Sequence, residues 1–423
     1  MTHDRRQFLL LSASAGLGTG ITARAAPRAL PLAQPFTDYR PIEAPNGVTL
    51  PWKLVNGVKV GHLVVQPVRH EFAPGLAASC WGYNGHVHGP VIEAVQGDRV
   101  RIYVTNKLDA PTTVHWHGIF LPNGMDGVGG LTQRSIEPGE TFRYEFTLQK
   151  PGTFMYHSHH DEMVQMAMGL MGMFVVHPQQ PAGPLPDRDF VYMLSEWALK
   201  VGTERPDPNE MTDFNVLTFN GKVFPATAPM VVKTGQRVRI RIGNLSAMDH
   251  HPIHLHGHAF SIIETDGGQI PESARWPETT VNVSPGQTRV VEFIADAPGD
   301  WAMHCHMTHH VMTQMGHDIP NLTGVDPSLF DEKLAAVMPS FSEMGKQEQR
   351  DPMAADDTLP KNSTPMVGGQ GGFGYVTMGG MVTLLKVRDG ITDYADPGHY
   401  VHPPGTVAEP ASREDLARDG IGG

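Results

Sequence analysis

The sequence predicts an all-β protein that contains two successive β-sandwich domains, and three observations support this prediction. Short strand-like runs separated by Gly, Pro, Asn and Asp fill the chain between Leu50 and Val325, with little helical periodicity. The 423 residues include 46 Gly and 36 Pro, whereas charged residues make up only 18%. Five short motifs recur in the same order in the second half of the chain, which indicates two copies of one domain.

The first residues have the features of an export signal. Residues 4–7, Asp-Arg-Arg-Gln, form a twin-arginine motif, and residues 23–25, Ala-Arg-Ala, have small residues at the two positions that suit a cleavage site. The apolar run between them is short and contains Gly and Ser, so it does not predict a membrane span. We therefore expect a twin-arginine signal peptide over residues 1–25 and a periplasmic or secreted mature protein.

The repeat divides the rest of the chain. The repeated pairs are Tyr83–Gly85 with Phe219–Gly221, Gly97–Ile102 with Gly235–Ile240, His115–Gly118 with His254–Gly257, Pro138–Thr141 with Pro285–Thr288, and Pro151–His159 with Pro298–His306. The Pro-rich residues 178–186 form the linker. We expect the first sandwich over 26–180, the second over 181–325, and a mostly irregular C-terminal extension over 326–423. That extension is expected to hold a helix near 326–338 and a strand over 382–387.

Paired histidines are the candidate metal ligands. Alternate residues of a strand share a face, so both imidazoles of an H-x-H motif can reach one metal cluster. Eight imidazoles are enough for three copper ions, two with three ligands and one with two. The four motifs hold His115 and His117, His157 and His159, His254 and His256, and His304 and His306.

The fourth motif also carries the ligand types of a blue-copper site. Cys305 is followed by His310 and then by Met315, and a thiolate, imidazoles and a thioether are the ligands of such a site. Neighbouring residues on a strand point to opposite faces, so His304 and His306 are expected to face away from Cys305. One strand would then connect two metal sites. The matching position of the first copy is Ser158, so that copy cannot build a thiolate site.

These motifs resemble those of the multicopper oxidases over residues 83–315, and the two copies are similar to the two-domain, laccase-like members. The resemblance implies cupredoxin-like Greek-key sandwiches with one type 1, one type 2 and two type 3 copper ions per subunit. It also implies one-electron oxidation of phenolic, aromatic or metal-ion donors, coupled to four-electron reduction of O2 to water. Carried over by position, the type 1 ligands are His251, Cys305, His310 and Met315, and the type 2 ligands are His115 and His254. One type 3 ion would be bound by His117, His157 and His306. The other type 3 ion would be bound by His159, His256 and His304.

The resemblance has three further implications. Two-domain members place the cluster between the first sandwich of one subunit and the second of its neighbour, so a homotrimer is expected. Asp126 resembles the acidic residue that supplies protons to the cluster, although an ordinary turn Asp has the same sequence context. Electrons are expected to enter through the exposed edge of His310 or His251.

Two alternative functions fit part of the pattern. A periplasmic copper-resistance protein or cuprous oxidase would use thioethers for Cu(I), although the same residues suit core packing; these are Met163, Met166, Met168, Met171 and Met173. A copper nitrite reductase also pairs two sandwiches in a trimer, but it does not need four H-x-H motifs. A net charge of −12 argues against nucleic acid as a partner, and no membrane partner is expected. The remaining histidines of these segments are expected not to be ligands; they are His86, His88, His160, His258 and His309.

Overall fold

The computed structural model describes residues 33–200, 202–212, 214–311, 362 and 368–421. The predicted signal peptide, the helix expected near 326–338 and Met315 lie outside these residues. The described chain is almost entirely β structure with two short α-helices, α1 (Glu162–Ala167) and α2 (Arg413–Arg418). No helix in these ranges is long and apolar enough to span a membrane. The predicted all-β class is therefore confirmed.

Eight strands form the first sandwich. They are β1 (Lys53–Val55), β2 (Val58–Ala73), β3 (Leu76–Tyr83), β4 (Ile92–Val95), β5 (Arg99–Asn106), β6 (Thr141–Thr147), β7 (Gly152–His157) and β8 (Met171–His177). One sheet has the order β1-β2-β5-β6 with β3 paired to β2, and the other has the order β4-β8-β7. Alternate residues of β5 (Val100, Ile102 and Val104) are buried, as expected for a strand with one face on the core.

The second sandwich and a small hairpin contain the remaining strands. They are β9 (Arg188–Trp197), β10 (Val216–Phe219), β11 (Met230–Lys233), β12 (Arg237–Asn244), β13 (His251–Leu255), β14 (Phe260–Thr265), β15 (Gly268–Gln269), β16 (Pro277–Glu278), β17 (Thr280–Val283), β18 (Thr288–Ile294), β19 (Gly299–Cys305), β20 (Gly369–Gly371), β21 (Gly374–Val376) and β22 (Val382–Arg388). One sheet has the order β10-β9-β12-β18-β14-β15 with β16 on β14, and the facing sheet has the order β11-β22-β19-β13-β17. Strands β20 and β21 form the hairpin.

The strand expected in the C-terminal extension belongs to the second sandwich. Strand β22 lies between β11 and β19, parallel to the first and antiparallel to the second. Its residue Val382 is paired with His304, so it supports the strand that carries the fourth histidine motif. A second sandwich that ended at residue 325 would lack this strand.

The two sandwiches share backbone details that only a structural repeat explains. Asn84 and Asn220 both adopt positive φ angles, 55° and 49°, in the turns that follow β3 and β10. Asn106 and Asn244 end the equivalent strands β5 and β12. Each side-chain amide donates to one carbonyl of the loop that follows and to one carbonyl much further along the chain, that of Ile136 or Val283. The loop after β12 is thereby fixed, and this loop borders the thiolate site described below.

A methionine-rich surface packs the two sandwiches of one chain together. Met155 on β7 and Met173 on β8 are buried against Gly243 on β12, where a Cβ atom would lie 2.6 Å from the Met173 sulfur. Met168 and Met171 are buried as well, whereas Met163 is exposed. The buried positions favour core packing over a Cu(I) path for most of this Met-rich segment.

Candidate metal centres

The thiolate site (His251, Cys305 and His310) lies inside the second sandwich. Strands β13 and β19 are antiparallel neighbours, with Ile253 opposite Cys305. The Cys305 sulfur is 3.7 Å from the His251 Nδ1 and 3.4 Å from the His310 Nδ1, and the two nitrogens are 3.2 Å apart. Donors placed about 2 Å from one trigonal centre are roughly 3.5 Å apart, so this spacing fits a His2Cys copper site.

The electrostatics of this pocket favour a neutral imidazole at His251. Burial lowers the pKa of His251 to about 3, so its ring is uncharged at neutral pH. Burial also raises the pKa of the Cys305 thiol to about 12. A bound metal ion would reverse that shift, because a coordinating thiol is deprotonated. The donor set therefore suits a soft metal ion such as copper, with the ring nitrogens ready to bind.

The outward nitrogens of the two imidazoles have different partners. The His251 Nε2 is 2.7 Å from the Ser246 hydroxyl, and the His310 Nε2 is 3.4 Å from an Asp249 carboxylate oxygen. His251 has no exposed surface and His310 is 4% exposed. The expectation that His310 or His251 has an exposed edge is therefore wrong, because the Asp249 and Ser246 side chains cover these edges.

The first histidine group (His115, His117, His157 and His159) lies at one end of the first sandwich. Backbone pairing places His115 opposite His157, and the donor nitrogens of three of the four, His115, His117 and His157, lie within 4.8 Å of one another. Asp126 borders this group: its carboxylate is 3.5 Å from the His115 Nδ1. Glu162 lies 3.5 Å from the His157 Nδ1 and 3.7 Å from the His159 Nε2. The group is partly buried and bordered by two carboxylates.

The second histidine group (His254, His256, His304 and His306) lies on the outer face of the sheet that carries the thiolate site. His254 is opposite His304, and the Nε2 atoms of His256 and His304 are 3.1 Å apart. His256 and His306 are exposed, whereas Cys305 between the flanking histidines is buried. The predicted alternation along β19 is thus present, with the thiol inside the sandwich and the imidazoles outside.

Backbone carbonyls fix the ring orientation in both groups. In one member of each motif, the Nδ1 atom is 2.7 to 2.9 Å from a main-chain oxygen; the pairs are His115 with Asp126, His157 with Ser158, His254 with Thr279, and His304 with Cys305. A ring that donates from Nδ1 leaves its Nε2 lone pair for a metal. The equivalent pairs in the two sandwiches show that the repeat preserves this arrangement.

The two histidine groups of one chain do not meet. In the described part of the chain, ring contacts join members within each group, and none joins one group to the other. In the first group, His117 lies near Gly286 of the second sandwich, where an added Cβ atom would be 3.7 Å from its Cε1 atom. Each chain therefore presents two separate sets of four imidazoles.

A hydroxyl network occupies the position in the first sandwich that matches the thiolate site. Thr112, Ser158 and Met163 stand where His251, Cys305 and His310 stand in the second copy. The Ser158 and Thr112 hydroxyls are 3.4 Å apart, and both donate to the Gln165 amide oxygen. The first sandwich thus replaces metal ligands with a buried set of hydrogen bonds.

Sequence reasoning missed Ser246, Asp249 and Glu162. The first two lie in the loop after β12 and reach the thiolate site only through the fold. The repeat could have identified Glu162, because it occupies the position in the first copy that His309 occupies in the second. Both residues follow an H-x-H motif by three residues. The extra histidines have other partners: His88 pairs with Ser195, His160 with Ser135, and His258 with the His256 carbonyl.

The fold and these centres define a class: two-sandwich, cupredoxin-type metalloproteins with a thiolate site beside a histidine cluster. Two family models, both described as multicopper oxidase, match residues 64–181 and 200–324. Together they cover more than half of the chain, and the chain belongs to the multicopper oxidase family.

Individual relatives agree with this assignment. Multicopper oxidase MmcO of Mycobacterium tuberculosis is 34% identical over 48% of this chain and 46% of its own length. Copper resistance protein A of Pseudomonas syringae pv. tomato is 28% identical over 53% of this chain and 44% of its own. The blue copper oxidase of Nitrosomonas europaea has a TM-score of 0.56 at 27% identity, covering 77% of this chain and 85% of that one. The chain spans less than half the length of these two curated relatives.

Proposed function

We propose that this protein is a laccase-like oxidase that takes single electrons from phenolic, aromatic or metal-ion donors and reduces O2 to water. The observation that carries the proposal is the alternation along β19: Cys305 points into the thiolate site, and the adjacent His304 and His306 point to the outer histidine face. A single peptide link thus separates a one-electron site from a multi-metal site. Such a link has a purpose only if electrons enter at one site and are used at the other.

The residues fit four copper ions per subunit. His251, Cys305 and His310 would hold the type 1 ion, with Met315 as the proposed axial ligand, and the two histidine groups would hold the type 2 and type 3 ions. When bound, copper supplies one-electron transfer at the first site and multi-electron reduction of O2 at the cluster. The protein supplies oriented imidazoles, because main-chain carbonyls hold Nδ1 of four rings.

A homotrimer would complete the cluster. The second histidine group is exposed on an outer sheet face, and the first group lies at the other sandwich without contacting it. Four imidazoles from one chain and four from its neighbour would make the eight-histidine cluster. A head-to-tail contact of this kind closes into a ring when the rotation between subunits permits it, and three subunits are the proposed number.

The electron donor would approach from the side of Asp249. The outward nitrogen of His251 is covered by the buried Ser246, whereas that of His310 faces Asp249, whose side chain is one-third exposed. Asp249 therefore lies between the His310 imidazole and solvent. This position suits donors that carry a proton or a positive charge.

Asp126 is the proposed proton source for O2 reduction, and its replacement gives a testable prediction. Both its carbonyl and its carboxylate lie near the His115 Nδ1, so the side chain borders the cluster. Asp126→Asn preserves the size but cannot release a proton. We expect kcat for O2 reduction to fall by about a hundredfold while the blue absorption of the thiolate site is retained. Oxygen uptake and absorption spectra of the same preparation measure both; an unchanged kcat would assign the proton supply to another group, Glu162 first.

Copper stoichiometry tests the function as a whole. We expect about four copper ions per chain, a near-ultraviolet type 3 band, and oxygen uptake with a screen of phenols, aromatic amines, Cu(I), Fe(II) and Mn(II). About two ions per chain, with nitrite rather than O2 consumed, would instead support a copper nitrite reductase. A copper-resistance role has a specific argument in its favour, because several relatives are named copper resistance protein A. Many weakly held Cu(I) ions without a blue colour would support sequestration.

The export route and domain limits complete the proposal. The twin-arginine motif supports export to the periplasm or beyond in a folded state. The first sandwich would run to about residue 180 and the second from 181, with β22 from the C-terminal extension included in it.

A further inference from the structure

We infer that Glu196 is a positioning residue of the thiolate site, which acts through Asp249 on the imidazole of His310. This inference rests on the proposed copper function and adds a residue that contacts none of the proposed ligands in the described structure. Glu196, Asp249 and His310 form a chain of contacts from the interior to the metal site.

Glu196 anchors the loop that borders the site. It lies on β9 with 6% of its surface exposed. One carboxyl oxygen, Oε1, accepts hydrogen bonds from the backbone N–H groups of Met248 and Asp249, at 2.6 and 3.4 Å. Because both donors belong to the loop after β12, Glu196 fixes the backbone from which the Asp249 side chain extends.

The second carboxyl oxygen of Glu196 takes no part in this anchor. Oε2 is buried and has no hydrogen-bond partner among the described residues. Burial and the neighbouring Asp249 carboxylate hold the pKa of Glu196 well above its usual range. Glu196 therefore acts on the loop through Oε1 and the two backbone N–H groups that donate to it.

The consequence concerns the electron density of His310. A carboxylate that accepts the N–H of a ligand imidazole makes the ring a stronger donor and stabilises the oxidised metal. Asp249 has this position relative to His310, at 3.4 Å. Glu196 keeps Asp249 in that position and prevents it from turning to solvent. Loss of Glu196 should therefore raise the reduction potential of the thiolate site.

Three variants of the copper-loaded, full-length protein test this inference by redox titration of the blue absorption. Glu196→Leu removes the anchor, so the potential should shift to more positive values. Glu196→Gln keeps an oxygen acceptor for the two N–H groups, so it should titrate like the wild type. The Asp249 side chain is partly exposed and lies next to His310. Asp249→Asn should therefore reproduce the positive shift even if Glu196→Leu does not fold.

A matched control separates this effect from general destabilisation. Glu264 is also a buried glutamate, but it accepts from the Thr153 N–H and the Gln269 amide and touches no residue of the thiolate site. Glu264→Leu should lower thermal stability and leave the potential unchanged. The inference is overturned if Glu196→Gln shifts the potential as Glu196→Leu does, or if Asp249→Asn leaves it unchanged. A wild-type protein without any blue absorption would refute the proposed function instead.

Discussion

Serine at position 305 is expected to remove the blue absorption and O2 consumption together. The Cys305 sulfur is the only thiol near the two Nδ1 atoms in the described chain, and it is fully buried. A serine hydroxyl is a poor ligand for copper and cannot give the thiolate charge-transfer colour. Turnover should fall to background, because electrons would have no entry site. Copper analysis should show about one ion fewer per chain, with the type 3 band retained.

Cys80→Ser is the matched control for this variant. Cys80 is the other free thiol and is also buried, but it belongs to an apolar cluster that contains Phe72 and Leu76 of the first sandwich and Trp197 of the second. Its replacement should leave the colour and the turnover intact. A Cys305→Ser protein that stayed blue would contradict the proposed thiolate site.

Mixing two inactive variants is expected to restore activity. One variant would carry His115→Ala and His117→Ala in the first histidine group, and the other His304→Ala and His306→Ala in the second. If the cluster forms between subunits, a mixed trimer contains contacts in which both contributing groups are intact. Random one-to-one assembly makes about a quarter of the contacts complete, so roughly a quarter of wild-type O2 consumption should return.

The outcome distinguishes a cluster shared between subunits from a cluster built within one chain. Unmixed variants, and mixtures joined only after each has formed a stable trimer, serve as controls and should remain inactive. A cluster built within one chain would give no activity in any mixture. The distinction holds because the two histidine groups of one chain lie apart, and only a second copy can supply the missing imidazoles.

The sequence was sufficient for the parts of the site that depend on local geometry. Strand periodicity alone predicted that Cys305 would face away from His304 and His306, and the structure has this alternation. The repeat likewise predicted that Ser158 would replace the thiol in the first sandwich. These predictions held because the strand period fixes the direction of each side chain, whatever the surroundings.

Long-range contacts were beyond sequence reasoning. Asp249 and Glu196 are 53 residues apart and meet only because β9 and the loop after β12 pack together. The burial of His251 and His310 depends on Ser246 and Asp249, which no spacing pattern marks. The role of β22 was missed for a similar reason, since more than 70 residues separate it from β19 in sequence.

The main-chain carbonyls beside the Nδ1 atoms of four imidazoles affect the stage at which the protein can bind copper. A ring whose tautomer and tilt are set by the main chain needs little rearrangement to capture an ion. Metal insertion can therefore follow completion of the fold rather than guide it. The four ring orientations should therefore be the same before and after copper binds.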